Sequence, residues 1–132
     1  MKSFGLSAAE RIKSRIDFEN LYDFGKVVFS GDKKIKAVYL IEENQTAGKV
    51  QIAAAVSSKA GKAVWRNRIK RLIRNSYRLN KEKLFKICLL KKIVLKIIFS
   101  PNRLNEKNNP VVVLDEIMPG IKDILFQIER SL

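Results

Sequence analysis

The sequence contains no histidine, and this absence narrows the chemistry open to the chain. Histidine is the side chain that most readily acts as an acid or base near neutral pH, and its imidazole is the commonest metal ligand in proteins. The sequence therefore predicts neither a histidine-dependent catalytic centre nor a histidine-ligated metal site.

Cysteine is nearly absent as well, since Cys88 is the only one. A single thiol cannot form an intrachain disulfide or a thiolate zinc cluster. Cys88 lies between Ile87 and Leu89, an apolar setting that is typical of a small core residue and favours that role over a reactive thiol. The cysteine count fits a reducing, intracellular setting, and we expect a cytoplasmic protein.

Long apolar runs are missing too. Residues 84–99 form the most apolar stretch, but lysines interrupt it at Lys86, Lys91, Lys92 and Lys96. A membrane-spanning helix needs about 20 consecutive, mostly apolar residues. The N-terminus also lacks the apolar segment of a signal peptide. We therefore expect no membrane-spanning segment and no membrane partner.

Acidic residues are scarce relative to basic ones. The chain has 27 Lys and Arg against 13 Asp and Glu, which gives a net charge of +14. Such a domain attracts polyanions, with nucleic acid as the first candidate, an anionic membrane surface as the second and an acidic protein as the third. The 132 residues and 46% hydrophobic content indicate one domain with one core. Residues 1–6 are predicted to be a loose tail, and residues 101–112 a loop.

The periodicity of the apolar residues predicts elements in the order α-β-β-β-α-β-α, an α+β fold with helices packed against a four-stranded sheet. A short first helix is predicted to end near Gly25, a residue that favours helix C-termini. Pro119 and Gly120 predict a late start or a kink in the last helix. The predicted helices cover residues 16–24, 63–80 and 115–130, and the predicted strands cover residues 27–29, 35–41, 50–56 and 92–99.

The helix over residues 63–80 carries its charge on one side. A helical wheel gives it an apolar face made of Trp65, Ile69, Leu72, Ile73 and Ser76. The opposite face consists of Asn67, Arg71, Arg74 and Arg78, flanked by Arg66 and Lys70 on one side and by Arg68 on the other.

This cationic face differs from an ordinary solvated helix face in two respects. No carboxylate occurs between Glu43 and Glu82, although solvated helices usually alternate acids with bases. The cations are also biased toward arginine, whose planar donor groups match phosphate oxygens and stack on bases. We therefore interpret the face as an RNA-binding surface suited to the phosphates of a folded RNA.

Residues 61–74 resemble the signature of the bacterial ribonuclease P protein subunit family. They read Gly-Lys-Ala-Val-Trp-Arg-Asn-Arg-Ile-Lys-Arg-Leu-Ile-Arg, and the family signature has an Arg-Asn-Arg core followed by a Lys-Arg pair and a further Arg. The resemblance extends over roughly residues 6–78. It includes upstream matches at residues 10–13, 17–18, 24–25, 38–39 and 56–59.

The resemblance implies a two-layer α-β sandwich similar to the second domain of ribosomal protein S5, with an unusual β-α-β crossover. It also implies the protein component of a ribonucleoprotein endonuclease, a hydrolase of tRNA processing. The implied partners are the ribonuclease P RNA subunit and precursor tRNA, from which the 5′ leader is removed. The catalytic centre and its Mg²⁺ are expected mainly in the RNA, so no catalytic residue and no metal ligand are assigned to this chain.

The resemblance also implies two sets of contact residues. The residues expected to contact the catalytic RNA are Arg66, Asn67, Arg68, Lys70, Arg71 and Arg74. The residues expected to hold the single-stranded leader, in a cleft between the sheet and the first helix, are Phe18, Tyr39 and Lys59. Phe18 would equally suit a core position. The sequence departs from the family at Ser58, where a second lysine is usual.

Other functions remain open on the residues alone. A stand-alone protein nuclease would need clustered carboxylates for magnesium or for a general base. The acids are scattered without a recognisable metal spacing, as at Asp17, Glu19, Asp23, Glu42 and Asp115. A structural RNA binder would bind ribosomal RNA without restoring cleavage to the catalytic RNA. A membrane-surface protein would need a broad exposed apolar face, whereas the apolar residues of the basic helix are better used in a core.

Overall fold

The computed structural model describes residues 8–43 and 45–132, and a mixed four-stranded sheet lies at its centre. The predicted tail over residues 1–6 lies outside the described residues. The strands are β1 (Lys26–Phe29), β2 (Ile35–Glu42), β3 (Lys49–Ala54) and β4 (Val94–Pro101). Their order in the sheet is β1-β2-β4-β3. Strand β2 is antiparallel to both β1 and β4, and β3 is parallel to β4.

The parallel pair β3–β4 requires a crossover connection, and helices supply it. The helices are α1 (Arg15–Phe24), α2 (Ala63–Asn80), α3 (Glu82–Lys91) and α4 (Leu114–Ser131), and a 3-10 turn over Ala8–Glu10 precedes α1. Both α2 and α3 lie in the crossover. None of the helices in the described part of the chain is long and apolar enough to cross a membrane.

The predicted α+β class with a four-stranded sheet is confirmed, but the predicted element order lacks α3. The chain interrupts the helix at Lys81 and turns, which brings Leu84 and Cys88 of α3 fully into the core. Helical periodicity alone does not reveal a break between two helices that both carry apolar residues. The likeness to the second domain of ribosomal protein S5 stays a prediction.

Both faces of the sheet are covered, so the two-layer description is incomplete. Successive strand residues point to opposite faces. Ala37 and Tyr39 of β2 belong to the main core, which contains residues of α2, α3 and α4. Val38 lies between them and packs on the other face, against Leu21 of α1 and Ile98 of β4. Helix α1 therefore forms a partial third layer.

Gly25, which follows α1, allows close packing between the end of the helix and β2. Helix α1 ends before Gly25 as predicted, but Gly25 has an extended backbone, with φ −74°, and does not adopt the left-handed conformation of a helix-terminating glycine. A Cβ at Gly25 would overlap the Leu21 carbonyl oxygen and the Val38 side chain. Helix α4 begins at Leu114 and includes Pro119, which agrees with the helix predicted over residues 115–130 and rules out the alternative of a late start. A kink at Pro119 stays a prediction.

An ion-pair network fixes α1 on the sheet. The Lys96 ammonium of β4 donates hydrogen bonds to Asp17 Oδ1 of α1 at 2.9 Å and to Glu42 Oε2 of β2 at 3.2 Å. The Lys96 side chain is only 12% exposed. Burial alone would lower the pKa of Lys96, but the hydrogen bonds to both carboxylates and their negative charges outweigh it and raise the pKa.

We predict that Lys96→Met lowers the free energy of unfolding at neutral pH by about 2 kcal/mol, because it leaves two neighbouring carboxylates without their cation. The folded state holds the Lys96 proton more tightly than the unfolded chain does. The stabilisation is therefore fully present below the ordinary lysine pKa of about 10.4 and is lost as the pH rises through the raised value. Urea denaturation at neutral pH and in strong base measures both effects.

Lys86→Met is the matched control, because Lys86 pairs with Glu82 on the surface of α3, where both side chains are mostly exposed. Its expected cost is about 0.3–0.5 kcal/mol. Equal losses in the two variants would contradict a special role for the Lys96 network.

Candidate nucleic-acid interface

Helix α2 is held by a continuous buried stripe. Trp65, Ile69, Ile73 and Ser76 are buried as the helical wheel predicts, Leu72 is only half-buried, and Tyr77 joins the buried face. Trp65, Ile69, Ile73 and Tyr77 belong to the main core, which also contains residues of the sheet and of α4. Burial of the apolar stripe leaves the opposite face of α2 available to a partner.

The loop between β4 and α4 fixes the beginning of α2. Lys62 precedes the helix and provides no side-chain cap. Its backbone N–H instead donates to Glu106 Oε1 at 2.8 Å, so the carboxylate satisfies a free amide at the positive end of the helix dipole. The Trp65 indole N–H donates to the Asn109 carbonyl at 2.9 Å. The loop thus anchors the first turn of α2.

Two arginines of the cationic face also support the fold. Arg66 Nε donates to the Gly61 carbonyl at 3.0 Å, and Arg68 Nε donates to the Val112 carbonyl at 3.0 Å. Each contact orients a guanidinium group while using one of its five N–H donors. Both side chains therefore keep donors for an external acceptor.

The other predicted contact residues make no such internal bonds. Asn67 and Arg71 are exposed, and Lys70 and Arg74 are half-buried. Within residues 8–43 and 45–132, none of these four side chains makes a hydrogen bond or an ion pair. Burial lowers the pKa of Arg74, and the nearby positive charges of Arg11 and Arg71 lower it further. The face therefore holds cations that repel one another.

Arg11 is a member of this cationic cluster that the sequence analysis did not assign to it. A parallel bridge pairs Arg11 with Ile52 of β3, and the Ile12 N–H donates to the Ile52 carbonyl at 2.9 Å. This pairing brings the N-terminal segment beside α2, where Arg11 is exposed. Since the contact joins residues distant in sequence, local periodicity carried no signal for it.

The residues predicted to line the leader cleft do not all meet. Phe18 of α1 is half-buried against the cluster on the α1 side of the sheet, which includes Ala53 and Ala55. Tyr39 lies on the opposite face and is 4% exposed, and its hydroxyl donates to Ser131 Oγ at 3.2 Å. The prediction that Tyr39 lines the same cleft as Phe18 is therefore wrong, because strand alternation directs Tyr39 into the main core.

Lys59 lies in the turn before α2 and is exposed, as is Ser58. The Lys59 backbone N–H donates to Ser57 Oγ at 3.2 Å, which fixes the turn while leaving the ammonium group outside it. Lys59 lies five residues after the end of β3 at Ala54. Its position beside Phe18 in one leader cleft stays a prediction.

The acids considered for a nuclease site do not form one. Of those acids, Asp17 and Glu42 meet, but they meet around the Lys96 ammonium, which neutralises them. Within the described ranges, no group of three or more histidine, cysteine, aspartate or glutamate side chains could hold a metal ion.

We predict that two neighbouring arginines of α2 differ in their effect on stability. Arg68→Ala should lower the free energy of unfolding by about 1 kcal/mol, because it removes the bond to the Val112 carbonyl. Arg71→Ala should cost nothing and should slightly raise stability at low salt, because it relieves repulsion with Arg74. Urea denaturation at low and high salt measures both, and a larger loss for Arg71→Ala would show that Arg71 has a structural role.

The family model described as Ribonuclease P matches residues 6–112. A ribonuclease P protein component of Porphyromonas gingivalis is 30% identical over 133 residues, which cover 98% of this chain and 85% of that protein. One from Clostridium novyi is 38% identical over 71 residues, which cover 54% of this chain and 60% of that protein. The chain thus spans about three fifths of the length of several curated relatives that it matches.

Solved structures show a similar fold. The RNase P protein from Staphylococcus aureus superposes with a TM-score of 0.65 at 24% identity, covering 92% of this chain and 95% of that one. The protein from Thermotoga maritima gives a TM-score of 0.64 at 20% identity, covering 92% and 96%. The family match includes α1, the whole sheet and the cationic face of α2. The chain belongs to the ribonuclease P protein family.

Proposed function

We propose that the chain is the protein subunit of a ribonuclease P ribonucleoprotein and that it assists endonucleolytic removal of the 5′ leader from precursor tRNA. The observation that carries this proposal is the cationic face of α2. In the part of the chain that the structure describes, these cations make no ion pair with a carboxylate, and the helix is held by its buried face and by the loop contacts at its first turn. Family membership supplies the class of partner, a catalytic RNA.

The face suits the phosphates of a folded RNA. Arginines along one helix offer several planar donor groups in a fixed array, which favours recognition of backbone shape over reading of individual bases. Binding of a polyanion would also relieve the repulsion among Arg11, Arg71 and Arg74. The free protein therefore contains unfavourable contacts between like charges, and their neutralisation by the RNA would add to the binding affinity.

The catalytic centre is proposed to lie in the RNA subunit. Asp17 and Glu42 lie close together, but both carboxylates form ion pairs with the Lys96 ammonium. The required Mg²⁺ is therefore proposed to be bound mainly by the RNA, where it would activate water and stabilise charge on the phosphate. The residues of this chain would reduce the repulsion between catalytic RNA and substrate.

The leader is proposed to lie along the α1 side of the sheet, at Phe18 and Lys59. Phe18 presents part of its ring beside the small side chains Ala53 and Ala55, which leave room for a base. Aromatic faces bind bases of any sequence by stacking, and a nearby cation holds the backbone. Such a site suits leaders that differ among precursors.

The cytoplasm is the proposed location. Cys88 is fully buried, and burial raises the pKa of its thiol to about 11, so the group is kept in its protonated form. As the single cysteine of the sequence, Cys88 cannot form an intrachain disulfide, and this fits a reducing compartment.

Reconstitution with the ribonuclease P RNA and a precursor tRNA tests the function. We predict accurate leader removal at low Mg²⁺ only when protein and RNA are both present. The triple variant Lys70→Ala, Arg71→Ala, Arg74→Ala should bind the RNA more weakly and lower the slope of log affinity against log salt by about two to three units, since each phosphate contact contributes about 0.7–0.9.

The matched control for the triple variant is Lys86→Ala, Lys107→Ala, Lys122→Ala, which removes the same charge from exposed positions elsewhere. Equal loss in both variants would mean that only net charge matters and would contradict a role for this face. Cleavage by the protein alone, or the absence of any stimulation of the RNA, would overturn the proposed function.

For the leader site, we predict that Phe18→Leu weakens binding of precursor tRNA by about tenfold and leaves mature tRNA unaffected, because leucine keeps the apolar packing but removes the stacking face. Competition binding to the reconstituted enzyme measures the two affinities. Phe126→Leu, on the exposed side of α4, is the control. Parallel losses for precursor and mature tRNA would exclude contact between Phe18 and the leader.

A further inference from the structure

The turn between β1 and β2 is fixed by hydrogen bonds within itself. The Ser30 N–H donates to the Ile35 carbonyl at 2.9 Å, and the Ile35 N–H donates to Ser30 Oγ at 3.1 Å. The Asp32 carboxylate accepts from the Ser30 hydroxyl at 2.6 Å and from the Lys34 N–H at 2.9 Å. The Asp32 carboxylate is thereby held by two hydrogen bonds within the turn.

Two other elements hold the same turn. The Gly31 N–H donates to Asp123 Oδ2 of α4 at 2.6 Å. After β4, the Asn102 N–H donates to the Lys34 carbonyl at 2.7 Å, and the Asn102 side-chain amide donates to the Lys33 carbonyl at 2.8 Å. The turn is therefore positioned by the sheet, by α4 and by the loop that follows β4.

Lys33 occupies a conformation that does not suit a lysine. Its φ of 65° lies in the left-handed region, where glycine is at least cost. The surrounding bonds enforce this conformation, and it places the Lys33 ammonium 5.5 Å from the centroid of the Phe29 ring. Residues that keep an unfavourable backbone conformation under such constraint often serve binding.

Phe29 belongs to an open part of the sheet. It is 40% exposed and pairs with Lys36 of β2, which in turn pairs with Ser100 of β4. Paired residues share a face, so this row lies on the same face as Val38 and α1. Lys33 and Lys34 lie in the turn, Lys36 lies in the row, and Arg103 follows Asn102, which is bonded to the turn. The charge of Lys34 also interacts with the Asp32 carboxylate.

We propose that this surface of Phe29, Lys33, Lys34, Lys36 and Arg103 binds a single-stranded RNA segment, with a base stacked on Phe29 and phosphates at the cations. The proposal rests on the proposed function, and it identifies the segment as the leader upstream of the part held at Phe18. The two places share one face of the sheet. From Phe29 the row continues through Lys36 and Ser100 to the level of Ala55, about three inter-strand spacings or roughly 14 Å.

The test measures precursor affinity of the reconstituted enzyme as the leader is shortened one nucleotide at a time. For the longest leaders, Phe29→Leu is expected to weaken binding by about tenfold. Lys33→Gly is expected to weaken it by a few-fold and to lower the salt slope by about one unit. Neither variant should change the affinity for short-leader precursors or for the RNA subunit.

Lys33→Gly carries a second readout. Glycine relieves the left-handed conformation, so this variant is expected to have a higher Tm than the wild-type protein while binding long leaders more weakly. A purely structural role for Lys33 would move stability alone. The control is Lys86→Ala on α3, which removes a mostly exposed charge from an element that does not hold the turn.

The outcomes separate this inference from the proposed function. If Phe18→Leu alters the dependence on leader length and Phe29→Leu and Lys33→Gly do not, the turn is not a leader site, although the leader site at Phe18 stands. If the turn variants weaken short-leader and long-leader precursors equally, the turn contacts another part of the complex and the inference is wrong. If no variant affects any precursor, both assignments fail.

Discussion

The structure depends on one constraint: like charges are held together on α2 by burial on the other side of the same helix. Trp65, Ile69 and Ile73 are fully or almost fully buried. Their burial offsets the repulsion among cations that make no ion pair with a carboxylate of residues 8–43 and 45–132. Helix α2 has no acidic residue in its first turn and no side-chain cap. Glu106, from the loop after β4, supplies a carboxylate there and accepts a hydrogen bond from the Lys62 N–H. The backbone of α2 is therefore held in place independently of any partner, and only the side chains of its cationic face would have to be ordered on association.

Several acidic residues of this basic chain form bonds between elements of the fold, away from the cationic face of α2. Glu10 pairs with Lys81, Asp123 holds the Gly31 amide, and Asp17 and Glu42 share Lys96. These carboxylates stabilise the fold without lying on the cationic face of α2. The excess of positive charge is thus concentrated where a polyanion can reach it.

The sequence predicted what depends on local periodicity and missed what depends on distant pairing. The two faces of α2 follow from its helical repeat, so the buried stripe could be assigned without a structure. Arg11 reaches the cationic cluster only through its bridge to Ile52. Tyr39 was misassigned because a strand pattern gives alternation but not which face meets which helix, and shifting the pattern by one residue exchanges the faces. The end of α2 at residue 80 was predicted, but the second helix of the crossover, α3, was not.

The proposed function assigns separate RNA strands to the two faces of the sheet. One face is sealed by α2, α3 and α4 into the main core, so its aromatic residues, Tyr39 among them, serve packing. The other face is only partly covered by α1, which leaves aromatic and cationic side chains exposed from Phe18 to Phe29. A leader bound on the α1 side would not compete for the arginines of α2. Helix α2 packs on the opposite face of the sheet, and its arginines lie on the side of the helix away from its buried stripe. Under the proposed function, complete cover of one face and partial cover of the other would let a single small domain contact a folded RNA and a flexible leader at once.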